Sequence, residues 1–260
     1  MSVPRLLIIS PNPPGDGNVN EILLRDLALL YPAGALACFA VVNTGITVSK
    51  GWTLSESLSE MPVEMHNWKH KVVYRRLPAV MVPAVKIAGA VQTRAVQLPA
   101  FTKRAIAFAR EQNVEGIWAV LNSPVIYPLA TSVADALNVP LRSSIWDPAE
   151  HMVRSFKLDA ASRALALRQF RQTLRRSTAV SVISEGMRDA YRDMCEIEPV
   201  ILRHGLRDDA VLPPASTMHD PDRLTIGFAG SIYTPEEWAT LVRGLERVEW
   251  RIAGREVTIR

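Results

Sequence analysis

Several signals are missing from this chain of 260 residues, and each absence removes a class of function. There are only two cysteines, Cys38 and Cys195, far apart and in apolar or helical surroundings. They offer neither metal-ligand spacing nor a disulfide framework, so a reducing cytosol is the expected compartment. No run of about 18 uncharged apolar residues occurs, and no membrane-spanning helix is expected. The opening MSVPRLLIISPNPPGDG has a short apolar run ended at once by a proline-rich turn, which reads as a first strand rather than a signal peptide. A P-loop lysine, a G-x-S-x-G elbow, an H-E-x-x-H pair and paired C-x-x-C are all absent. Acidic residues are absent from Met65 to Arg110, where Lys69, Lys71, Arg75, Arg76, Lys86, Arg94, Lys103, Arg104 and Arg110 stand unopposed.

What is present is an alternation of strand and helix patterns. Apolar runs at Arg5–Ser10, Leu36–Val42, Gly116–Leu121, Leu141–Trp146, Ala179–Ser184 and Val200–Leu202 read as strands, with a charged third strand over Lys71–Leu77. Ile22, Leu23, Leu27 and Leu30 carry a helical spacing between the first two. Continuous apolar strands separated by helices predict a doubly wound, Rossmann-like parallel sheet over residues 1–205. Residues 206–223, with Pro213, Pro214 and Pro221, have linker composition. The rhythm restarts over 224–260 with one βαβ unit of a second Rossmann-like domain.

Candidate chemistry gathers where strands end. Gly15, Gly17 and Asn18 follow the first strand and would bring backbone amides toward a phosphate at a helix N-terminus. The dinucleotide fingerprint fails, because Asn20 stands where a third glycine belongs and no acid closes the second strand, so NAD is not expected. Asp147 and His151 lie past the strand Leu141–Trp146, placed either to orient a substrate hydroxyl or, for Asp147, to cap the next helix. Ser184 is a helix cap or a cleft hydroxyl; Arg203 and His204 follow the last strand of the first domain. The cations Arg75, Arg76, Lys103 and Arg104, mixed with apolar residues, suit an anionic membrane surface or a solvated basic face. Aromatic residues make up only 7%, which argues against nucleic acid as a partner.

In order, LLIISPNPPGDGN, GIWAVLNSPVIYPL, SSIWD, VISEGM and VILRHG resemble the N-terminal domain of GT-B fold glycosyltransferases, most closely the family-4 type. LTIGFAGSIYTPEEWATLVRGLERVEWRIAG resembles the first βαβ of their C-terminal, donor-binding domain. The resemblance implies sugar transfer from a nucleotide-sugar to a glycan or lipid-linked acceptor, without metal or other cofactor, in the cytoplasm or at its membrane face. It places Gly15, Gly17 and Asn18, with Gly230 and Ser231, near the donor diphosphate, and Asp147 or His151 near the reacting sugar. The family's Gly-Arg and Lys-Gly cations are missing, for Gly230-Ser231 and Glu236-Glu237-Trp238 stand near those places. Its paired glutamates would lie beyond Arg260, so the expectation is an acceptor domain with the beginning of a donor domain. The alternative is a non-catalytic module docking on a membrane or a partner transferase.

Overall fold

The computed structural model describes residues 3–43, 54–68, 70, 78–203, 220, 222–228 and 235–260. The chain divides into two compact units, Met1–Gly205 and Leu206–Arg260. The first is an α/β Rossmann-like unit. Its elements run β1 (Leu6–Ser10), α1 (Val19–Ala28), β2 (Leu36–Asn43), β3 (Val63–Trp68), α2 (Val82–Gln92), α3 (Leu98–Glu111), β4 (Gly116–Val120) and α4 (Ile126–Leu137). They continue through β5 (Leu141–Ile145), α5 (Ala149–Ser155), α6 (Ala160–Arg176), β6 (Ala179–Val182), α7 (Glu185–Cys195) and β7 (Val200–Ile201). The sheet order is β3-β2-β1-β4-β5-β6-β7, parallel throughout. Strand order reverses between β1 and β4, which opens a crevice at their carboxyl ends.

The central strands are apolar at every position because both faces are covered. All residues of β1, β2 and β4 are buried. Alternate side chains serve opposite faces: Leu7, Ile9, Phe39 and Ile117 pack with α3, α4, α6 and α7. Leu6, Ile8, Cys38 and Trp118 pack with Leu24 and Ala28 of α1 and with Met61. Each large side chain so buried contributes about 1.5–3 kcal/mol. Beyond β4 the second face changes character. Arg142, Ala179 and Val200 are exposed there, and the Trp118 indole N–H donates to Ser144 Oγ (2.9 Å), which lies 2.8 Å from Ser181 Oγ. Both cysteines are buried, Cys38 within β2 and Cys195 at the end of α7.

The strand beside β2 differs from expectation. It is β3, Val63–Trp68, while Lys71–Leu77 lies outside the described residues. As a sheet edge, β3 is only partly buried (Trp68 alone fully), so it has no continuous apolar run to announce it. Helix ends follow local chemistry. Asn18, Asp159 and Ser184 accept from Glu21 N, Ser162 N and Met187 N to cap α1, α6 and α7, and Asn138 at φ 53° closes α4 in the left-handed conformation. A π-helical turn, Thr93–Gln97, joins α2 to α3, with Leu98 N–H returning to the Thr93 carbonyl.

The second unit contains β8 (Arg223–Ile226), α8 (Pro235–Arg247), β9 (Arg251–Ile252) and β10 (Arg255–Ile259). β8 pairs in parallel with β10, as a βαβ unit requires. The expected single closing strand is instead the hairpin β9–β10, because Ala253 (φ 50°) and Gly254 (φ 80°) both take positive φ, as a tight two-residue turn demands.

Candidate functional site

The carboxyl edge of the seven-stranded sheet gathers most of the polar groups expected from the sequence. Asp147 follows β5, half-buried, and Pro148 rather than Asp147 occupies the cap position of α5, with no side-chain capping bond. The capping alternative therefore fails, since the helix begins one residue too late for the carboxylate to reach its amides. Among the described residues Asp147 has no hydrogen-bond partner, which leaves its carboxylate available. His151 follows one helical turn later on α5, also half-buried. The first amide of α5, Ala149 N–H, donates instead to the Tyr191 hydroxyl at 3.2 Å. Burial foremost pushes that hydroxyl's pKa up to about 12, with Glu150 and Asp147 adding to it, so it remains protonated.

The β1–α1 turn corrects the expectation placed on Gly15, Gly17 and Asn18. The amide of Gly17 donates to Glu21 Oε2 at 2.9 Å, and the Asn18 side-chain amide donates to Glu21 Oε1. Gly15 N–H is bonded to the Glu21 carbonyl (3.2 Å), and Asn18 Oδ1 caps α1. The place where a phosphate would meet a helix N-terminus is thus filled by the chain's own carboxylate. Glu21 is only 2% exposed, and burial foremost raises its pKa, against the Gly17 amide, with the Asp16 charge adding to the rise. Asp16 itself is paired with Arg25.

Two other expected groups are also engaged. Ser184 Oγ accepts from Met187 N (3.3 Å) as the cap of α7, and Arg203 is paired with Glu185 at that helix's first residue. His204, Gly230, Ser231, Arg75 and Arg76 lie outside the described residues. Lys103 and Arg104 are exposed on α3, with Arg104 Nη1 3.7 Å from Glu64 Oε1.

Asn122 and Ser123 were not anticipated. They follow β4 directly at the crevice, 4% and 1% exposed, yet the Asn122 amide oxygen and nitrogen and the Ser123 hydroxyl have no partner among the described residues. Buried polar groups are ordinarily paired, so unspent ones at a strand's carboxyl end are candidates for ligand contacts. The Val120↔Ser144 register brings them off the sheet alongside Trp146 and Asp147. A polar pair immediately after an apolar strand was the available signal. Among the described residues no three His, Cys, Asp or Glu side chains converge on a metal position.

A second opening lies where the π turn faces the start of α6. Lys86, Ala90, Thr93, Arg94 and Leu98 form one wall, and Pro124, Val125, Lys157, Leu158 and Ala166 the other. Trp68 and His70 lie at its end, stacked at 4.9 Å, with Phe156 against Trp68 at 5.4 Å. The Trp68 indole N–H donates to Thr93 Oγ1 (3.2 Å), and His70 Nε2 lies 2.9 Å from the Phe156 carbonyl. Burial, opposed by that carbonyl and reinforced by Lys86, holds the His70 pKa below its ordinary value.

No protein-family model matches the chain, and no curated protein matches it. Solved structures are similar in fold. Phytolacca americana UGT2, complexed with UDP-2-fluoro-glucose and pterostilbene, is 14% identical with a TM-score of 0.49, covering 100% of this chain and 72% of that one. Arabidopsis thaliana UGT89C1 with UDP-L-rhamnose is 15% identical, TM-score 0.47, over 100% of this chain and 69% of that one. Rice Os79 with UDP is 13% identical, TM-score 0.42, over 73% and 50%. These neighbours are UDP-glycosyltransferases of GT-B architecture.

Proposed function

We propose that the chain is the acceptor side of a GT-B glycosyltransferase, moving a sugar from a nucleotide-sugar to a glycan or lipid-linked acceptor. The observation that carries the reading is the unspent Asp147 carboxylate at the carboxyl end of β5, beside the buried and unpaired Asn122 and Ser123. In this reading the acceptor hydroxyl is held by Asn122 and Ser123 and gives its proton to Asp147. Its oxygen bonds to the anomeric carbon as the bond from that carbon to the diphosphate breaks. His151 supports the charge that develops, and Ser184 and Arg203 border the cleft. Because Glu21 fills the β1–α1 turn, Gly15, Gly17 and Asn18 are not assigned a contact with the leaving diphosphate.

The test presents the purified chain with UDP-, GDP- and ADP-hexoses and a lipid and glycan extract, reading released nucleoside diphosphate and the acceptor's mass gain. Asp147→Asn, folded as judged by circular dichroism, is expected to lose about 100-fold or more of the rate, the usual worth of a positioned base. Turnover equal to that of the unaltered chain would overturn the role of Asp147, and absence of release from every donor would overturn catalysis by this chain.

One observation favours the non-catalytic alternative. Just before α2 at Val80, then along α2 and the π turn at Ala84, Ile87, Ala88, Val91 and Ala95, apolar residues are exposed at helical spacing. With Lys86, Arg94, Lys103 and Arg104 nearby in sequence, this is the composition of a surface that settles on anionic lipid, each cation worth on the order of 1 kcal/mol. Sedimentation with phosphatidylserine vesicles that is lost in Lys103→Glu/Arg104→Glu, without sugar transfer by any preparation, would favour docking over catalysis.

A further inference from the structure

None of Asp147, Asn122 and Ser123 lines the slot under the π turn, although Pro124, next to Ser123, does. Including its open mouth and the solvent there, it holds about 640 Å³. The lining is mostly apolar, with Ala90, Leu98, Val125, Leu158 and Ala166, and includes Trp68. An apolar lining that includes an indole suits an aromatic ring.

The charges around it are mostly positive. Lys86, Arg94 and Lys157 line the slot against a single acid, Asp159, whose carboxylate is spent on Ser162 N (3.0 Å) as the cap of α6. Neither Arg94 nor Lys157 forms an ion pair among the described residues. The backbone places them deliberately. Arg94 belongs to the π turn, a costly widening of the helix that is often retained at functional sites. Lys157 sits at φ 50°, just past α5.

We propose that this slot binds an aromatic carboxylate, its ring against the apolar lining that includes Ala90 and Leu158 and its carboxylate held by Arg94 and Lys157, with Lys86 adding to the field. Neither the ligand class nor the site depends on the transferase reading. Should both hold, the bound acid would be a regulator of transfer, since none of Asp147, Asn122 and Ser123 lines the slot.

The experiment uses the whole chain, with no sugar donor present, so its result is separate from any failure of sugar transfer. 2-Naphthoate is titrated by calorimetry beside its uncharged relative 2-naphthamide. The acid is expected to bind at least about tenfold more tightly than the amide, the worth of one charge-assisted contact at a partly dry site. Raising salt should weaken the acid and spare the amide. Arg94→Ala/Lys157→Ala, at two exposed positions, should erase the tenfold margin. Ala90→Phe should abolish binding of both compounds while leaving circular dichroism and melting intact. Equal affinity for acid and amide, unchanged binding in a folded Ala90→Phe chain, or no binding of the acid at about 1 mM would each overturn the proposal.

Discussion

Replacing Glu21 tests directly the claim that the β1–α1 turn is closed by its own carboxylate. Glu21→Ala removes the acceptor for Gly17 N–H at 2.9 Å and for the Asn18 amide, and removes a negative charge from the first turn of α1. A capping contribution is about 1 kcal/mol and the helix-terminus charge about 0.3–1 kcal/mol. Gly17 is exposed, so water can take over its amide, which limits the loss to about 1–2 kcal/mol in all. At about 2–4 °C per kcal/mol for a domain of this size, melting should fall by about 3–6 °C. Glu21→Gln keeps the acceptor oxygen and should lie within about 0.5 kcal/mol of the unaltered chain near neutrality. The pH dependence is the sharper part. Burial raises the carboxyl pKa of Glu21 in the folded chain above 4.5, so the folded state holds its proton more tightly than the unfolded state does. Glu21's contribution is then fully present below 4.5 and declines as pH rises through the folded value. Urea unfolding of both chains, followed by circular dichroism from acid to neutral pH, should show the unaltered chain losing ground to Glu21→Gln across that window. A difference that is flat with pH, or that grows in the other direction, would refute the buried carboxylate; an unchanged melting point in Glu21→Ala would refute the closed turn.

Other expectations follow from single contacts. Tyr191→Phe leaves the buried Ala149 amide without its partner and should cost about 1 kcal/mol in chemical denaturation, helix content being otherwise kept. A Cβ at Gly116 would meet Leu6 Cδ2 at 2.9 Å inside a packed face, so Gly116→Ala should destabilise by about 1–3 kcal/mol, whereas at exposed Gly186, with nothing within 4 Å, alanine should be harmless by the same assay. His70, its pKa held below 6.5 chiefly by burial, contributes stability that is present above 6.5 and lost as pH falls through the folded value. His70→Gln should flatten that acid-side decline in melting temperature.

The centre of the sheet could be read from the chain because its strands are buried on both faces. LLIIS, LACFAVV and GIWAV are apolar throughout for that reason alone. The edge strand β3 escaped because VEMHNW alternates, half facing water, and a more apolar stretch drew attention to Lys71–Leu77 instead. The hairpin within the last strand turned on two positive φ angles, one of them at an alanine, which no propensity announces. At the candidate site, Asp147 was visible as an acid after a strand, but its freedom from capping depends on a one-residue shift in where α5 starts. The filled β1–α1 turn was within reach: Asn18 and Glu21 have the spacing of a capping box, and that reading competes with a phosphate loop at the same glycines. Asn122 and Ser123 stood in plain sequence, yet only their burial without partners distinguishes them from an ordinary turn.

The two cysteines turn the domain into a pair of clocks. Burial pushes the Cys38 thiol up to about 12, only partly offset by Ser10 Oγ 3.9 Å away, and burial raises that of Cys195 too. Neither thiol is reactive while its surroundings stay closed, since the thiolate is the nucleophile. Cys38 reports only when the middle of the sheet parts, while Cys195 reports when α7 lifts near the β7 edge. The interval between the two labelling times, followed by mass spectrometry with a thiol reagent, measures how far the edge of this fold breathes before its centre gives way.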